Sequence, residues 1–404
     1  MEFLEHRLPN GLEIIAERNA SAYSMALGFF VRTGSRDEWD GIAGCSHFLE
    51  HMMFKGTPRR TADDVNREFD EMGARYNAYT SEENTVYYAA VLPECQTRAA
   101  ELLADIMRPS LRDDDFHMEK KVILEEIQMY EDQPPFGADE KIREVFFQDH
   151  PLSRSVLGTP ESIAEMTVDA MRDYFRRRYG PENVLLAATG HVDFDALVAT
   201  AERCCGHWEP SGATRPMPPA RPRHETVVLQ KEIATQHYGL LVSAAPAADD
   251  PRRFAARLLA MVIGDESGSR LYWDLLDPGH AEHVSMHHQE YEGAGAMLTF
   301  LSCQPEEIDA NLRRIEEVFH RSMADGFLED ELRQAKNKGR SRMVLSSERP
   351  RGRLFSVGPD WLYRHEYRSL DDDLATLESL TADELHAVMA DFPLCPTATV
   401  TVGP

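Results

Sequence analysis

The chain has 404 residues, 42% of them hydrophobic and 9% aromatic, and carries 43 lysines and arginines against 69 aspartates and glutamates, a net charge of −26. This is a globular composition with enough chain for two or three domains, so disorder is not the default. So acidic a surface argues against nucleic acid and anionic membranes as partners, and no apolar run reaches the roughly 18 residues that a membrane span needs.

Residues 1–33 read as strands, Leu12–Ala16 and then Ser24–Val31, the first preceded by a Pro-Asn-Gly turn. No basic region followed by an apolar one opens the chain, so no signal peptide is expected. After a loop comes the segment Cys45–Thr57, which contains His47-Phe48-Leu49-Glu50-His51. On a helix His47 and His51 are one turn apart and leave the same face, with Glu50 beside them. Two neutral imidazoles suit zinc, and a nearby carboxylate can take a proton from water. Phe48, Leu49, Met52 and Met53 make this a core helix, where polar groups must be satisfied. The five residues by themselves fit a metal site or a pair of hydrogen-bonded core histidines beside an ion-paired glutamate equally well.

Thr61 caps the next helix, with Asp64 in the capping-box position, a Val65, Phe69, Met72 stripe, and Gly73 as the stop. A hairpin is expected from residues 75–80 and 85–91, then helices over 94–107, 113–132 and 137–148. Two shorter helices open at Thr159 and Val168, Val184–Gly190 is a buried strand, and 193–205 is helical again. Trp208–Arg223 holds Pro210, Pro216, Pro218, Pro219 and Pro222 without periodicity and reads as a semi-rigid linker. Beyond it the same order returns: strand 238–242, helix 252–263, strand 296–301, and Leu328–Leu332 matching Leu111–Phe116. The expectation is an α+β protein of two homologous domains, each a mostly antiparallel sheet with helices packed on one face. Their bounds are 1–210, a linker at 211–223, and 224–404. With Phe116 laid on Leu332, Glu126 falls at Arg342, so only the first copy carries the histidine motif.

A catalytic zinc takes three protein ligands and keeps one open position. The 113–132 helix offers Glu119, Glu125, Glu126 and Glu131 as sources of the third. Glu119 and Glu126 lie two turns apart on one face, while Glu125 points about 100° away. The six cysteines, Cys45, Cys95, Cys204, Cys205, Cys303 and Cys395, are scattered without Cys-x-x-Cys spacing, as in a reduced cytoplasmic protein.

The segments His47–Thr57, Asn77–Ser81, Thr85–Tyr88, Val122–Ile127, Tyr179–Asn183 and Ser269–Leu271 together resemble the pitrilysin, insulin-degrading enzyme and mitochondrial processing peptidase family of inverted zincins. The resemblance runs over nearly the whole chain. It implies a zinc metalloendopeptidase in which His47, His51 and Glu126 bind zinc and Glu50 is the general base. Glu119 would stand beside the site in a catalytic or proton-handling role, with Glu83 a weaker candidate. Asn77 and Ala78 would lie on the strand along which a peptide substrate pairs. The family also brings an arginine and a tyrosine from the second half to bind substrate near the zinc, which in a dimer implies an arginine acting on the other protomer's site. Arg270 stands for the first, but the tyrosine position falls at Glu282 or His283, so His283 is the candidate substitute. Alternatively, Arg270 is a surface ion-pair partner of Asp265 or Asp274. The expected assembly is a homodimer, or a heterodimer with a related chain, closing around peptides or unfolded segments. A catalytic subunit needing a different partner chain and a non-proteolytic scaffold subunit remain as alternatives.

Overall fold

The computed structural model describes all 404 residues, Met1–Pro404. Eleven strands run β1 (Glu2–Arg7), β2 (Glu13–Arg18), β3 (Met25–Val31), β4 (Arg75–Thr80), β5 (Thr85–Val91), β6 (Val184–Gly190), β7 (Thr226–Gln230), β8 (His237–Ala244), β9 (His283–Tyr291), β10 (Ala294–Cys303) and β11 (Ala398–Gly403). The helices that position the site and cores are α1 (Cys45–Met53), α2 (Ala62–Glu71), α3 (Gln96–Ile106), α4 (Asp113–Asp132), α5 (Ala138–Phe147), α6 (Pro160–Glu165), α7 (Val168–Arg178), α8 (Phe194–Cys205), α9 (Arg253–Gly264), α10 (Ile308–Asp325), α11 (Glu329–Ser347) and α12 (Pro350–Arg364).

The chain divides into two compact units, each built from separate segments. Unit 1 comprises Met1–Gln128, Arg154–Pro216 and Leu345–Ser369; unit 2 comprises Met129–Ser153, Met217–Val344 and Leu370–Pro404. This differs from a single cut through the proline-rich stretch, because 129–153 and 345–369 each belong with the opposite half. The boundary at Pro216 has a local cause. Glu182 Oε1 accepts from the backbone N–H groups of Ser211 and Gly212 at 2.8 and 2.6 Å. Arg215, its side chain 1% exposed, ion-pairs with Asp37 at 2.7 Å. The first half of the expected linker is therefore fastened to unit 1.

Unit 1 holds a six-stranded sheet ordered β1-β2-β6-β3-β5-β4, antiparallel except where β2 pairs with β6. Unit 2 has five strands, β7-β11-β8-β10-β9, also antiparallel but for one pair, here the edge pair β7 and β11. Both are α+β units of mostly antiparallel sheet, as expected. One sheet face of unit 1 is covered by the main helical layer, in a core that includes Leu27, Phe29, Phe48, Leu49, Phe69, Tyr87, Leu103 and Phe116.

The opposite face is also covered, by one helix from the far end of the sequence. Leu354 and Val357 of α12 pack on Phe30, Val86, Tyr88 and Leu185. The helix comes close because residue 358 is glycine: a Cβ there would meet the Phe30 ring at 2.5 Å. Arg353 then forms a buried ion pair with Glu17, and the Trp361 indole donates to Glu13 at 2.8 Å. In unit 2, α5 and the Phe136 just before it do the equivalent, with Phe136, Ile142, Phe146 and Phe147 packed against Leu240, Val242, Ala296 and Val400. Burying such rings is worth about 1.5–3 kcal/mol each. All six cysteines are unpaired, and no helix is long and apolar enough to cross a membrane.

Candidate metal centre

The site lies within unit 1, on α1 and α4 beside the edge strand β4. Helix α1 begins at Gly44, whose φ of +84° suits glycine and whose missing side chain leaves room for the Leu157 carbonyl, 2.4 Å from where a Cβ would stand. The Glu38 carboxylate accepts from the backbone N–H groups of Gly44 and Ser46 at 2.8 and 2.7 Å, satisfying donors at the helix start. Phe48 of α1 stacks on Phe116 of α4, with ring centroids 4.7 Å apart, which fixes the distance between the two helices. Thus α4 presents Glu119 and Glu126 to the histidines while Glu125 faces solvent, as the two-turn spacing predicts.

His47, His51 and Glu126 converge, their ligand atoms all lying within 4.8 Å of one another. Glu126 Oε2 is 3.7 Å from His47 Nε2 and 3.6 Å from His51 Nε2. These separations are too long for hydrogen bonds, so the three groups do not satisfy one another. They do match an ion: tetrahedral bonds of about 2.0–2.1 Å put ligand atoms roughly 3.4 Å apart. Two imidazoles and one carboxylate are also a donor set that zinc takes in hydrolytic sites. Unit 2 brings no comparable trio together, and Arg342 ion-pairs with Asp265 at 2.6 Å.

Electrostatics prepare the two imidazoles differently. Burial, helped by the neighbouring His51, pushes the His47 pKa down to about 3, so this ring stays neutral with its lone pair available. Its Nδ1 is buried without a hydrogen-bond partner. Burial also acts to lower His51, but the bond to Glu119 and the charges of Glu126, Glu119 and Glu50 outweigh it and raise its pKa. His51 Nδ1 meets Glu119 Oε1 at 2.8 Å, which leaves Nε2 aimed at the trio. Burial raises Glu126 and Glu50; for Glu119 the bonds to His51 and Lys55 outweigh burial and hold it below the usual carboxylate range.

The remaining expected residues are placed as follows. Glu50 sits on α1 within the field of His51 and Glu126, and its carboxylate accepts from the Thr80 hydroxyl at 2.6 Å. Asn77 and Ala78 are central in β4, which pairs only with β5 and has its other side free of strands. Glu83 is buried in an ion pair with Arg36 at 2.5 Å, away from the trio's contacts. Arg270 and His283 belong to unit 2. Arg270 does form an ion pair, but with Glu331 at 2.7 Å, and it also donates to the Ser322 hydroxyl and the Gly326 carbonyl. The expected alternatives are otherwise engaged, Asp265 with Lys338 and Arg342, and Asp274 with Arg321. His283 opens β9 with its ring centroid 5.5 Å from that of Phe300. Two contacts escaped the sequence reading, Thr80 on Glu50 and Lys55 on Glu119. Both residues stand in the segments that carry the family resemblance, and the only available signal was their nearness to the motif.

Fold and site together define a two-unit α+β protein with an inverted His-x-x-Glu-His helix. Residues 13–160 match the family model for insulinase (peptidase family M16), and residues 165–338 match the one for the peptidase M16 inactive domain. The chain belongs to the M16 peptidase family. It is 33% identical over 391 residues to an uncharacterized zinc protease of Mycobacterium bovis, covering 94% of this chain and 88% of that one. It is 30% identical over 381 residues to an uncharacterized zinc protease of Bacillus subtilis, covering 94% and 93%. In fold it resembles a protease from Helicobacter pylori, with a TM-score of 0.93 at 20% identity and full coverage of both chains. A peptidase M16 inactive domain from Pseudomonas fluorescens superposes with a TM-score of 0.91 at 18% identity, covering 100% of this chain and 98% of that one.

Proposed function

We propose that this protein is a zinc-dependent metalloendopeptidase that hydrolyses peptides or unfolded segments. The observation that carries the reading is the convergence of His47 Nε2, His51 Nε2 and Glu126 Oε2 at separations suited to an ion and unsuited to hydrogen bonds. His47, His51 and Glu126 would hold the zinc. When bound, zinc acidifies water and polarises a carbonyl oxygen. Glu50 takes a proton from the attacking water and delivers it to the leaving amine nitrogen. The Thr80 hydroxyl orients the accepting carboxylate. A substrate strand pairs along the free side of β4 at Asn77 and Ala78, which aligns its backbone beside α1.

The working assembly in this reading is a dimer, of two copies or with a related chain, closing around the substrate; the family resemblance supports it. Unpaired cysteines throughout suit a reducing cytoplasm. A second reading, a catalytic subunit that needs a different partner chain, is favoured by one observation: the donors of Arg270 are engaged by Glu331, Ser322 and Gly326. A scaffold role would not require the complete ligand set. The test is zinc content of the purified chain, with turnover of fluorogenic peptides before and after chelation and on zinc restoration. A chain that binds zinc and cleaves no peptide alone, but does so with a related chain, would favour the second reading. A chain that binds no zinc would overturn both.

A further inference from the structure

We propose that Lys55 is a positioning residue for the metal centre, acting through Glu119 on the ring of His51. The inference rests on the zinc reading and adds a residue to it. Its basis is a continuous chain of contacts. The Lys55 ammonium lies 2.5 Å from Glu119 Oε2, Glu119 Oε1 lies 2.8 Å from His51 Nδ1, and His51 Nε2 faces Glu126. The Glu119 side chain is only 4% exposed, and Lys55 is the group that meets its Oε2. The Lys55 ion pair is therefore what offsets the burial of that oxygen.

The lysine is held for this purpose by its backbone. Its N–H donates to the Met52 carbonyl at 3.1 Å, and its own carbonyl accepts from Arg112 at 2.5 Å. The next residue is Gly56 with φ +106°, where a Cβ would meet the Arg60 carbonyl at 2.7 Å. The end of α1 is thus fixed on both sides of Lys55, and the side chain has one carboxylate to reach. Without the ammonium, the Glu119 carboxylate is free to rotate toward water and give up His51 Nδ1. That ring then loses the contact that sets its orientation and tautomer. His47 has no such outer contact, since its Nδ1 is unpartnered. The outer support of the two imidazoles therefore runs through His51 alone, and Lys55 is its last member.

The test is zinc affinity, measured by competition with a chromophoric chelator near neutral pH on the full chain. Removing an outer partner of a metal-binding histidine typically weakens binding by about 10–100-fold. Lys55→Met should fall in that range, with the zinc-free melting curve read alongside to separate the loss of affinity from the stability lost by leaving Glu119 unpaired. Lys55→Arg, which keeps the charge, should restore most of the affinity. In a Glu119→Gln background, Lys55→Met should add little, because the two residues act in series. Unchanged affinity in Lys55→Met would overturn the proposal, as would an equal loss with and without Glu119, which would mean that Lys55 acts elsewhere. Should Lys55→Met fail to fold, Lys55→Gln is read by the same criteria. Failure of the wild type to bind zinc would sink the metal reading itself; normal wild-type binding with an indifferent Lys55 variant would sink only this inference.

Discussion

The Thr80 hydroxyl donates to the Glu50 carboxylate at 2.6 Å, tying the last residue of the edge strand to the central glutamate of the histidine helix. The strand expected to receive substrate and the group expected to accept the proton are thereby one mechanical unit.

From this follows the first expectation. Glu50→Gln keeps the shape of the side chain and the zinc content but cannot accept a proton at neutral pH. Peptidase turnover should fall by roughly 10²–10⁴-fold, the usual share of a positioned base. Normal turnover by a zinc-replete Glu50→Gln protein would move the base role elsewhere, Glu119 being the next candidate.

Glu126→Gln removes the one carboxylate facing both imidazole Nε2 atoms. The zinc bound by the purified protein should drop from about one per chain toward zero under mild chelation, because a three-ligand site is left with two. Undiminished zinc, measured by elemental analysis, would exclude Glu126 as a ligand.

Arg353 and Glu17 form a buried ion pair, with side chains 5% and 2% exposed. Replacing only one partner strands the other charge, so Arg353→Met should cost about 3–5 kcal/mol in denaturant unfolding. The double variant Arg353→Met, Glu17→Gln should recover part of that loss. A single variant as stable as the wild type would show that this ion pair adds nothing to the hold on α12.

Arg270 is expected to act within its own unit. Arg270→Ala removes its bonds to Glu331, Ser322 and Gly326 and should lower stability by about 1–3 kcal/mol while the folded fraction keeps its activity. Mixing Glu50→Gln and Arg270→Ala protomers gives the discriminating measurement. If Arg270→Ala is itself inactive and activity partly returns on subunit exchange, the arginine serves a partner's site instead.

Acid stability should depend on Glu290. Burial would raise its pKa, but the bond to His288 and the charge of Arg257 outweigh burial and bring it down to about 2. The folded value is below the unfolded one, so the stabilisation is present above the ordinary carboxylate range and is lost as pH falls toward 2. The slope contributed by one group is at most about 1.4 kcal/mol per pH unit. Unfolding free energies measured from pH 5 downward should fall less steeply in Glu290→Gln than in the wild type. Parallel curves would remove Glu290 from the acid response.

Features decided locally were legible in the sequence. The hairpin expected at 75–80 and 85–91 and the helix expected at 113–132 coincide with β4, β5 and α4, because alternation and helical period act over a few residues. The capping box at Thr61 and Asp64 is present for the same reason. The convergence of His47, His51 and Glu126 needed the family resemblance, since periodicity only put Glu119 and Glu126 on one face. Nothing local marks the Arg270 pair with Glu331, 61 residues apart, or that of Arg353 with Glu17, 336 apart. The same is true of α5 and α12, whose apolar stripes fit any sheet face. The partner of an amphipathic helix is a tertiary choice.

The return of α12 to the first sheet has a consequence for synthesis. When residues 1–216 have left the ribosome, Phe30, Val86, Tyr88 and Leu185 still face water, because Leu354 and Val357 do not yet exist. At ~5–20 residues per second, the wait is on the order of seven to thirty seconds. During it the nascent sheet offers a warm, oily ledge to whatever can bind it, and a chaperone that shields such ledges would decide how much of this protein survives its own translation.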